Sequence, residues 1–436
     1  MTLRFISMTT ALLCALGCSS SSDSPPAQQP VDDAAADQPS ADVAAEEPGI
    51  DAATSFPTEP PGPPIALEPS SWMECAPMMT GRINHTATLL ADGRVVVMGG
   101  ETFARDMLDS VEIYDPAKDA WTDAPPLPEP RSNHLAALLS DGRVLIAGGG
   151  RSAPIGVPAG AEMLTTTWLF DPAKLTYAAA APLKSPRSHF AWARLGGDRI
   201  LVVGGGAGTH DHKGVCTGVP DCGEIGDSLA SAEVYDPGTN SWIAAAPMST
   251  ARFVTTATVL ATGTVLVVAG ANDQQKSFAS AELFDPVANV WTPAGSLTQG
   301  DRLFHSAGLL KDQRVLVAAG KKSNVTPLKS AELFDSATTT WSQAAVLSEM
   351  RTAAVMIPLA NGKAVLVGGF DQATQETLAL VEQYDPVGDA WTLLQPMHRG
   401  RSGHSVTPLA DGSLLVIGGF SGMFGTDSAE RSVPVL

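Results

Sequence analysis

The sequence contains seven copies of one pattern, a short apolar run that ends in Gly-Gly or Ala-Gly. The last glycines of the seven copies are Gly100, Gly149, Gly205, Gly270, Gly320, Gly369 and Gly419. Successive copies are 49, 56, 65, 50, 49 and 50 residues apart. A single copy, such as RILVVGGGAGTH at 199–210, is typical of a dinucleotide-binding turn. Seven copies at a steady period instead indicate a repeated architectural unit.

Other residues recur in step with the glycines. Each unit begins with an arginine, and the set is Arg82, Arg131, Arg187, Arg252, Arg302, Arg351 and Arg401. A strand-like stretch with an Asp-Gly or Asn-Gly turn follows in most units, and motifs such as VEIYDP and AELFDP follow the glycines. An aromatic residue ends the unit, and the set is Trp121, Tyr177, Trp242, Trp291, Trp341 and Trp391. Each unit therefore has room for four short strands and for no crossover helix.

Repeats of about 40–50 residues with four strands each predict a β-propeller. The combination of arginine, glycine pair, Tyr-Asp-Pro and tryptophan resembles the kelch repeat of galactose oxidase-like central domains, over about residues 70–436. The last unit stops after SAERSVPVL and lacks its outermost strand, whereas Trp72 stands 49 residues before Trp121. We therefore predict an all-β, seven-bladed kelch-type propeller, with its ring closed by an N-terminal strand that completes the last blade.

The repeat also predicts structural roles for its recurring residues. The paired glycines let a strand end approach a neighbouring backbone where a Cβ would clash. The Tyr or Phe before Asp-Pro and the tryptophan pack between adjacent blades, and the glutamate of Val-Glu-Ile-Tyr pairs with the arginine. The second unit departs from this pattern, because Trp168 replaces the glutamate and Tyr177 replaces the tryptophan.

The N-terminus predicts secretion. Residues 1–18 resemble a bacterial lipoprotein signal peptide in which Cys18 is lipidated, and an ordinary signal peptide cleaved elsewhere is the alternative. Residues 19–64 contain nine acidic residues, ten prolines and no Lys or Arg, so we expect a disordered tether before a propeller at 65–436. This organisation predicts a protein that is lipid-anchored in the periplasm or at the outer membrane or cell surface.

Charge and cysteine content restrict the partners. A net charge of −19 argues against a nucleic-acid ligand. Cys216 and Cys222 stand six apart in one loop, and a disulfide is expected between them outside the cytoplasm. Cys75 is then left over as a buried small hydrophobe. We expect a monomer attached to the membrane through its lipid.

Two neighbouring loops are enlarged. The post-glycine loops of the second and third units are longer than the others, and they would raise a lip on one face of the ring. Tolerated surface insertion and a binding role are both open interpretations. In the longer loop, His210, Asp211 and His212 are candidate binding residues, but no strong zinc spacing is present and we predict no metal and no cofactor.

Histidines form a second candidate site. His85, His134, His305 and His404 each lie three residues after the arginine, and His189 lies two after. At the start of the innermost strands, these residues would surround the mouth of the central channel. A hydrogen bond to the backbone of a neighbouring blade is the favoured interpretation, and binding of a metal or an anion is the alternative.

Function is predicted from the loops, because a rigid scaffold places binding residues there. We predict an envelope protein that binds a protein or glycan ligand without catalysis. The alternative is a carbohydrate-active enzyme, either a sugar isomerase or an oxidase, on the same face. The resemblance to galactose oxidase implies copper, tyrosine ligands and a crosslinked cysteine for the oxidase, but three of the four tyrosines belong to Tyr-Asp-Pro motifs and the fourth, Tyr177, stands in for tryptophan.

Overall fold

The structure, a computed structural model, describes residues 72–152, 161–207, 227–274, 276–323, 326–422 and 424–434. Seven antiparallel four-stranded sheets form the blades of a propeller. The described residues are otherwise loops, four short hairpins and a 3-10 turn at Gly196–Asp198. They contain no helix that is long and apolar enough to cross a membrane. The expectations for Cys18 and for residues 19–64 lie outside the described residues.

Each blade has an innermost, a second, a third and an outermost strand. In order from blade 1 to blade 7, the innermost strands are Thr86–Leu89, Leu135–Leu138, Ala191–Arg194, Thr256–Val259, Ser306–Leu309, Val355–Pro358 and Ser405–Pro408. The second strands are Val95–Met98, Val144–Ala147, Ile200–Val203, Val265–Val268, Arg314–Ala318, Ala364–Val367 and Leu414–Ile417. The third strands are Val111–Asp115, Thr167–Asp171, Ala232–Asp236, Ser280–Asp285, Ala331–Asp335, Val381–Asp385 and Ala429–Ser432. The outermost strands are Ala120–Ala124, Thr176–Ala180, Ser241–Ala245, Val290–Ser296, Thr340–Ala344, Ala390–Leu393 and Trp72–Cys75.

The ring closes as the sequence predicts. Trp72–Cys75 is the outermost strand of blade 7, and it pairs antiparallel with Ala429–Ser432 near the other end of the chain. On the inside, Thr86–Leu89 of blade 1 contacts the innermost strands of both blade 2 and blade 7. The prediction of seven blades completed by an N-terminal strand is therefore confirmed.

The core lies between the blades. The second strands are apolar and buried on both sides, because each is sandwiched between two neighbouring sheets. One cluster of apolar side chains fills each interface; Tyr114 and Trp121 of blade 1, for example, pack against Leu415 and Ile417 of blade 7. The Trp121 indole also donates a hydrogen bond of 2.7 Å to the carbonyl of Ala76 in the neighbouring blade. The predicted packing of these aromatic residues between blades is confirmed.

Cys75 lies at the end of the strand that closes the ring. Its thiol is half-buried beside the cluster between blades 7 and 1, and it forms no disulfide with a described residue. Burial raises the pKa of the Cys75 thiol, so the neutral form predominates at neutral pH. Its place beside an apolar cluster agrees with the predicted role as a small hydrophobe.

Candidate functional site

The loops after the glycine pairs lie on one face of the ring, which we call the loop face. In each blade the residue after the glycine pair bridges to the residue after the arginine, as in Glu101 with Ile83 and Gly206 with Ser188. The loop after the glycines and the loop around the arginine therefore lie together. The Asp-Pro turns lie at the opposite ends of the third strands, on the opposite face.

A belt of seven buried arginines supports the loop face. Every one of these arginines is 0% exposed. In blade 1, the Arg82 guanidinium donates to the carbonyl of Gly99 at 2.9 Å and to Glu112 at 2.5 Å. The carbonyl of Arg82 accepts from the N–H of Gly419 in blade 7 at 2.9 Å. The same bond from the second glycine to the next arginine occurs at all seven interfaces, so the belt is continuous around the ring.

Six of the seven arginines pair with a glutamate of the third strand. The pairs with a normal separation are Arg82–Glu112, Arg187–Glu233, Arg252–Glu282, Arg302–Glu332 and Arg401–Glu430, at 2.5 to 3.0 Å, and Arg351 contacts Glu382 in the same way. The glutamate also accepts backbone N–H groups of the crossover, the segment that arrives from the preceding blade. The predicted arginine–glutamate pair is thus confirmed, and its role is structural.

In blade 2 the buried arginine is also paired with a glutamate, but the glutamate comes from a different position. Trp168 occupies the position of the glutamate, and Glu129 of the crossover lies 3.3 Å from the Arg131 guanidinium. The Trp168 indole also donates to Glu129, at 3.5 Å. Burial lowers the pKa of Arg131 to about 10, and the Glu129 carboxylate counteracts that effect. The departure in the repeat is therefore compensated two residues before the arginine.

The glycine pairs have the predicted role. Gly204 and Gly205 have φ angles of 67° and 94°, in the left-handed region. A Cβ on Gly204 would lie 2.3 Å from the carbonyl of Arg252 in the next blade, and one on Gly205 would lie 2.7 Å from the carbonyl of Ser188. The close approach of backbones requires these glycines, and the dinucleotide interpretation of RILVVGGGAGTH is not needed.

Three of the four histidines at the common position link the inner strands of neighbouring blades. The Nε2 atoms of His85, His134 and His305 share hydrogen bonds with hydroxyls of the preceding blade, from Ser405, Thr86 and Thr256, at 2.9, 3.0 and 3.0 Å. The partner is a side-chain hydroxyl and not the backbone. Val355 occupies the corresponding position beside His404 and offers no hydroxyl. Burial lowers the pKa of His85, His305 and His404 to about 3 and that of His134 well below its usual range, so these rings are neutral at pH 7.

His189 belongs to a different ring, at the mouth of the channel. It shares a hydrogen bond of 2.7 Å with Ser188, and burial lowers its pKa to about 4. The residue two positions after each arginine has a positive φ, and the seven channel-mouth residues are Asn84, Asn133, His189, Val254, Phe304, Ala353 and Gly403. Backbone hydrogen bonds join several neighbours in this ring, such as Asn133 N–H to Asn84 and Val254 N–H to His189. The described residues contain no group of three His, Cys, Asp or Glu that could hold a metal.

The channel mouth has two chemically different sides. Blades 1 to 3 place Asn84, Asn133 and His189 there, whereas blades 4 to 6 place Val254, Phe304 and Ala353. Phe304 belongs to a separate apolar cluster on the loop face, which also contains Phe253, Ala271 and Leu303. The sequence alone did not point to this ring, because its residues share no chemistry. Their common spacing from the arginine was the available signal.

The two enlarged loops begin as hairpins on the loop face. Gly150–Ser152 pairs with Ala161–Met163 in blade 2, and Gly206–Ala207 pairs with Asp227–Ser228 in blade 3. His210, Asp211, His212, Cys216 and Cys222 lie outside the described residues, so their binding role and the disulfide remain predictions. The bases of both hairpins stand where the lip was expected.

The tyrosines do not fit a copper-radical site. Tyr114, Tyr235 and Tyr384 are buried in third strands, and their hydroxyls donate to Asp119, Asn240 and Asp389 near the opposite face. The Tyr177 hydroxyl donates to the carbonyl of Pro125. Because all four hydroxyls are used in this way, the loop face has no tyrosine to offer to a metal.

Comparisons with known proteins identify the repeat. The kelch motif model matches residues 84–128, 194–249 and 359–398. No curated protein sequence matches the chain. Among solved structures, a novel fungal alcohol oxidase of the AA5 family, in complex with copper, is similar at 17% identity and a TM-score of 0.63, over 84% of this chain and 76% of that chain. The structure of YjhT is similar at 14% identity and a TM-score of 0.54, over 74% of this chain and 99% of that chain.

Identities this low carry over the fold and not the activity. The kelch motif matches lie in three separate parts of the ring, and the other repeats have the same arginine, a Gly-Gly or Ala-Gly pair and four strands. The chain is therefore a seven-bladed β-propeller that contains kelch motifs.

Proposed function

We propose that this protein binds a protein or glycan ligand on its loop face and that it does so without catalysis. The observation that carries the proposal is the contrast at the channel mouth. The arginine belt and the interface clusters repeat around the ring, whereas the seven channel-mouth residues differ in polarity, size and hydrogen-bonding capacity. Positions that the fold leaves free to vary are the positions where a scaffold acquires a ligand.

Two further observations support an interaction role. Kelch propellers generally mediate protein interactions, and the two enlarged loops start from paired strands in adjacent blades on the same face. Together they would form a lip beside the polar side of the channel mouth. A ligand seated at the mouth would contact both.

A carbohydrate-active enzyme is the alternative function. It is favoured by the likeness to an alcohol oxidase, although that likeness shows the fold alone. The placement of the four tyrosines argues against copper-radical chemistry in this chain. A sugar isomerase or another acid–base reaction would use the loop face as well.

Two hairpin variants test the proposal. Ala207 pairs with Asp227, and Ser152 pairs with Ala161, so residues 208–226 or 153–160 can each be replaced by Asn-Gly, which closes a two-residue hairpin. We would screen the purified full chain against glycans and envelope extracts and measure the affinity of each ligand found. Val287→Asp is the matched control, because Val287 is 91% exposed on the opposite face.

We expect at least one hairpin variant to weaken binding tenfold or more, and Val287→Asp to change it less than twofold. Equal binding by both hairpin variants and the wild type would show that the lip does not contribute to ligand binding. Turnover of a sugar during the screen would instead establish the enzyme.

We further propose that the propeller is anchored in the periplasm or at the outer membrane or cell surface through a lipid on Cys18, by a tether at 19–64. The support is the signal-like sequence at 1–18. Metabolic labelling with a palmitate analogue should mark the wild type and not Cys18→Ser. Labelling of both proteins would contradict the anchor.

A further inference from the structure

One position on the loop face holds a buried charge in two of the seven blades. The residue that follows the glycine pair is buried in every blade, and the set is Glu101, Gly150, Gly206, Ala271, Lys321, Phe370 and Phe420. Only Glu101 in blade 1 and Lys321 in blade 5 are ionisable. Both bridge to the residue after the arginine, so they occupy equivalent places in the fold.

In blade 1 the buried charge is paired. The Glu101 carboxylate accepts a hydrogen bond of 2.9 Å from the side-chain amide of Asn84, the channel-mouth residue of its own blade. The same oxygen lies 3.0 Å from the Arg105 guanidinium. The guanidinium and the amide offset the cost of burying the carboxylate, so Glu101 needs no ligand.

In blade 5 the buried charge has no such partner. Lys321 is 1% exposed, and its Nζ makes no hydrogen bond with any described residue. The Nζ atom lies over the ring of Phe304, the channel-mouth residue of its own blade, 5.6 Å from the ring centroid. Burial lowers the pKa of Lys321 to about 8, so the ammonium is still mostly protonated at pH 7.

The surroundings indicate which ligand would satisfy that ammonium. Phe253, Ala271, Leu303 and Phe304 form a buried apolar wall beneath this part of the loop face. A single ammonium beside an apolar wall suits a single negative charge, because a phosphate with two charges would leave one unpaired. The four-carbon stem of lysine is flexible, so a rotamer change suffices to bring the ammonium to a ligand at the mouth.

We propose that Lys321 and Phe304 form a subsite for a carboxylate at the channel mouth, with the ammonium pairing with the carboxylate and the wall contacting the adjoining carbon atoms. This inference rests on the proposed function, since it names the chemistry of a ligand on the loop face. The carboxylate belongs to a sugar acid or to the end of a peptide, and the two sources are distinguished by experiment.

Calorimetric titration of the full chain at pH 7 provides the test. The probes are glucuronate and N-acetylglycine, with glucose and N-acetylglycinamide as their neutral counterparts. The variants are Lys321→Met, which keeps an unbranched apolar stem, and Lys322→Met, which removes the charge of the neighbouring lysine. We expect saturable binding of at least one carboxylate and none of its neutral counterpart. Lys321→Met should weaken that binding at least tenfold, and Lys322→Met less than twofold.

The thermal midpoint of unfolding tests the proposal independently of ligand binding. Without ligand, Lys321→Met should raise the thermal midpoint, because it removes a buried charge that lacks a partner, whereas Glu101→Met should lower it. A lower midpoint for Lys321→Met, or unaltered carboxylate binding by that variant, would overturn the subsite. If the ligand found in the screen binds Lys321→Met as it binds the wild type, the subsite is wrong while the proposed function stands.

Discussion

Within every repeat, the buried arginine and the channel-mouth residue are two positions apart. The residue type is constant at the first position and varies among the seven repeats at the second. The first is always arginine, is always 0% exposed, and bonds the neighbouring blade through its carbonyl. The second ranges from asparagine to phenylalanine, although its backbone has the same left-handed conformation throughout. The ring therefore constrains the side chain at the first position and only the backbone at the second.

The largest expected difference separates Arg252 from Val254. Arg252→Met leaves Glu282 buried without its cation, and we expect it to lower the free energy of unfolding by about 3–5 kcal/mol. Val254→Asn places in blade 4 the residue that blades 1 and 2 already carry, so its effect should stay within about 1 kcal/mol. Urea titration of both variants measures the difference. Equal losses would show that the channel mouth is as constrained as the belt.

A smaller difference is expected between the glutamates of blades 3 and 2. Glu233 is 2% exposed and lies 2.8 Å from Arg187, whereas Glu129 is 15% exposed and lies 3.3 Å from Arg131. Glu233→Gln should therefore destabilise the protein by about 2–4 kcal/mol and Glu129→Gln by about 1 kcal/mol. Denaturant unfolding of the two variants side by side provides the comparison, and the reverse order would refute the compensation in blade 2.

A third difference concerns the pH dependence of stability. The pKa values of the buried histidines are about 3 to 4 in the folded state, below the value of about 6.5 expected in the unfolded chain. The unfolded state then binds more protons as the pH falls, so stability is full above pH 6.5 and is lost toward pH 4. Each histidine accounts for up to about 1.4 kcal/mol per pH unit in this window.

His305→Gln tests that assignment, because glutamine can still bond to Thr256 and does not titrate. The free energy of unfolding of this variant, measured from pH 7 to pH 4.5, should fall less steeply than that of the wild type, by up to about 1.4 kcal/mol per pH unit. Parallel curves would mean that His305 is not neutral in the folded protein.

The fold could be predicted closely from the sequence because each signal occurs in several copies, up to seven. The period, the glycine pairs and the missing last strand defined seven blades and the closing strand around Trp72. The arginine–glutamate pair was visible for the same reason. The hydroxyl partners of His85, His134 and His305 were not, because they lie in the preceding blade, about 49 residues earlier or, for His85, 320 residues later.

The candidate site was predicted less well, since it consists of the positions where the repeats disagree. The histidines were predicted as a site because they share one chemistry, yet three of the four at the common position bond to hydroxyls of the preceding blade. Lys321 and Phe304 were not predicted as site residues, because neither residue recurs at its position in another blade. Aligning the seven units on the arginine and on the glycine pair exposes both positions, and only the structure shows that Glu101 is paired and Lys321 is not.

Hydrogen–deuterium exchange of the full chain, with and without the ligand found in the screen, tests the central claim most directly. The account predicts that binding protects peptides of the loop face, such as 101–107 and 321–327, and leaves the Asp-Pro turns of the opposite face unchanged. Protection of those turns with an unaltered loop face would contradict it.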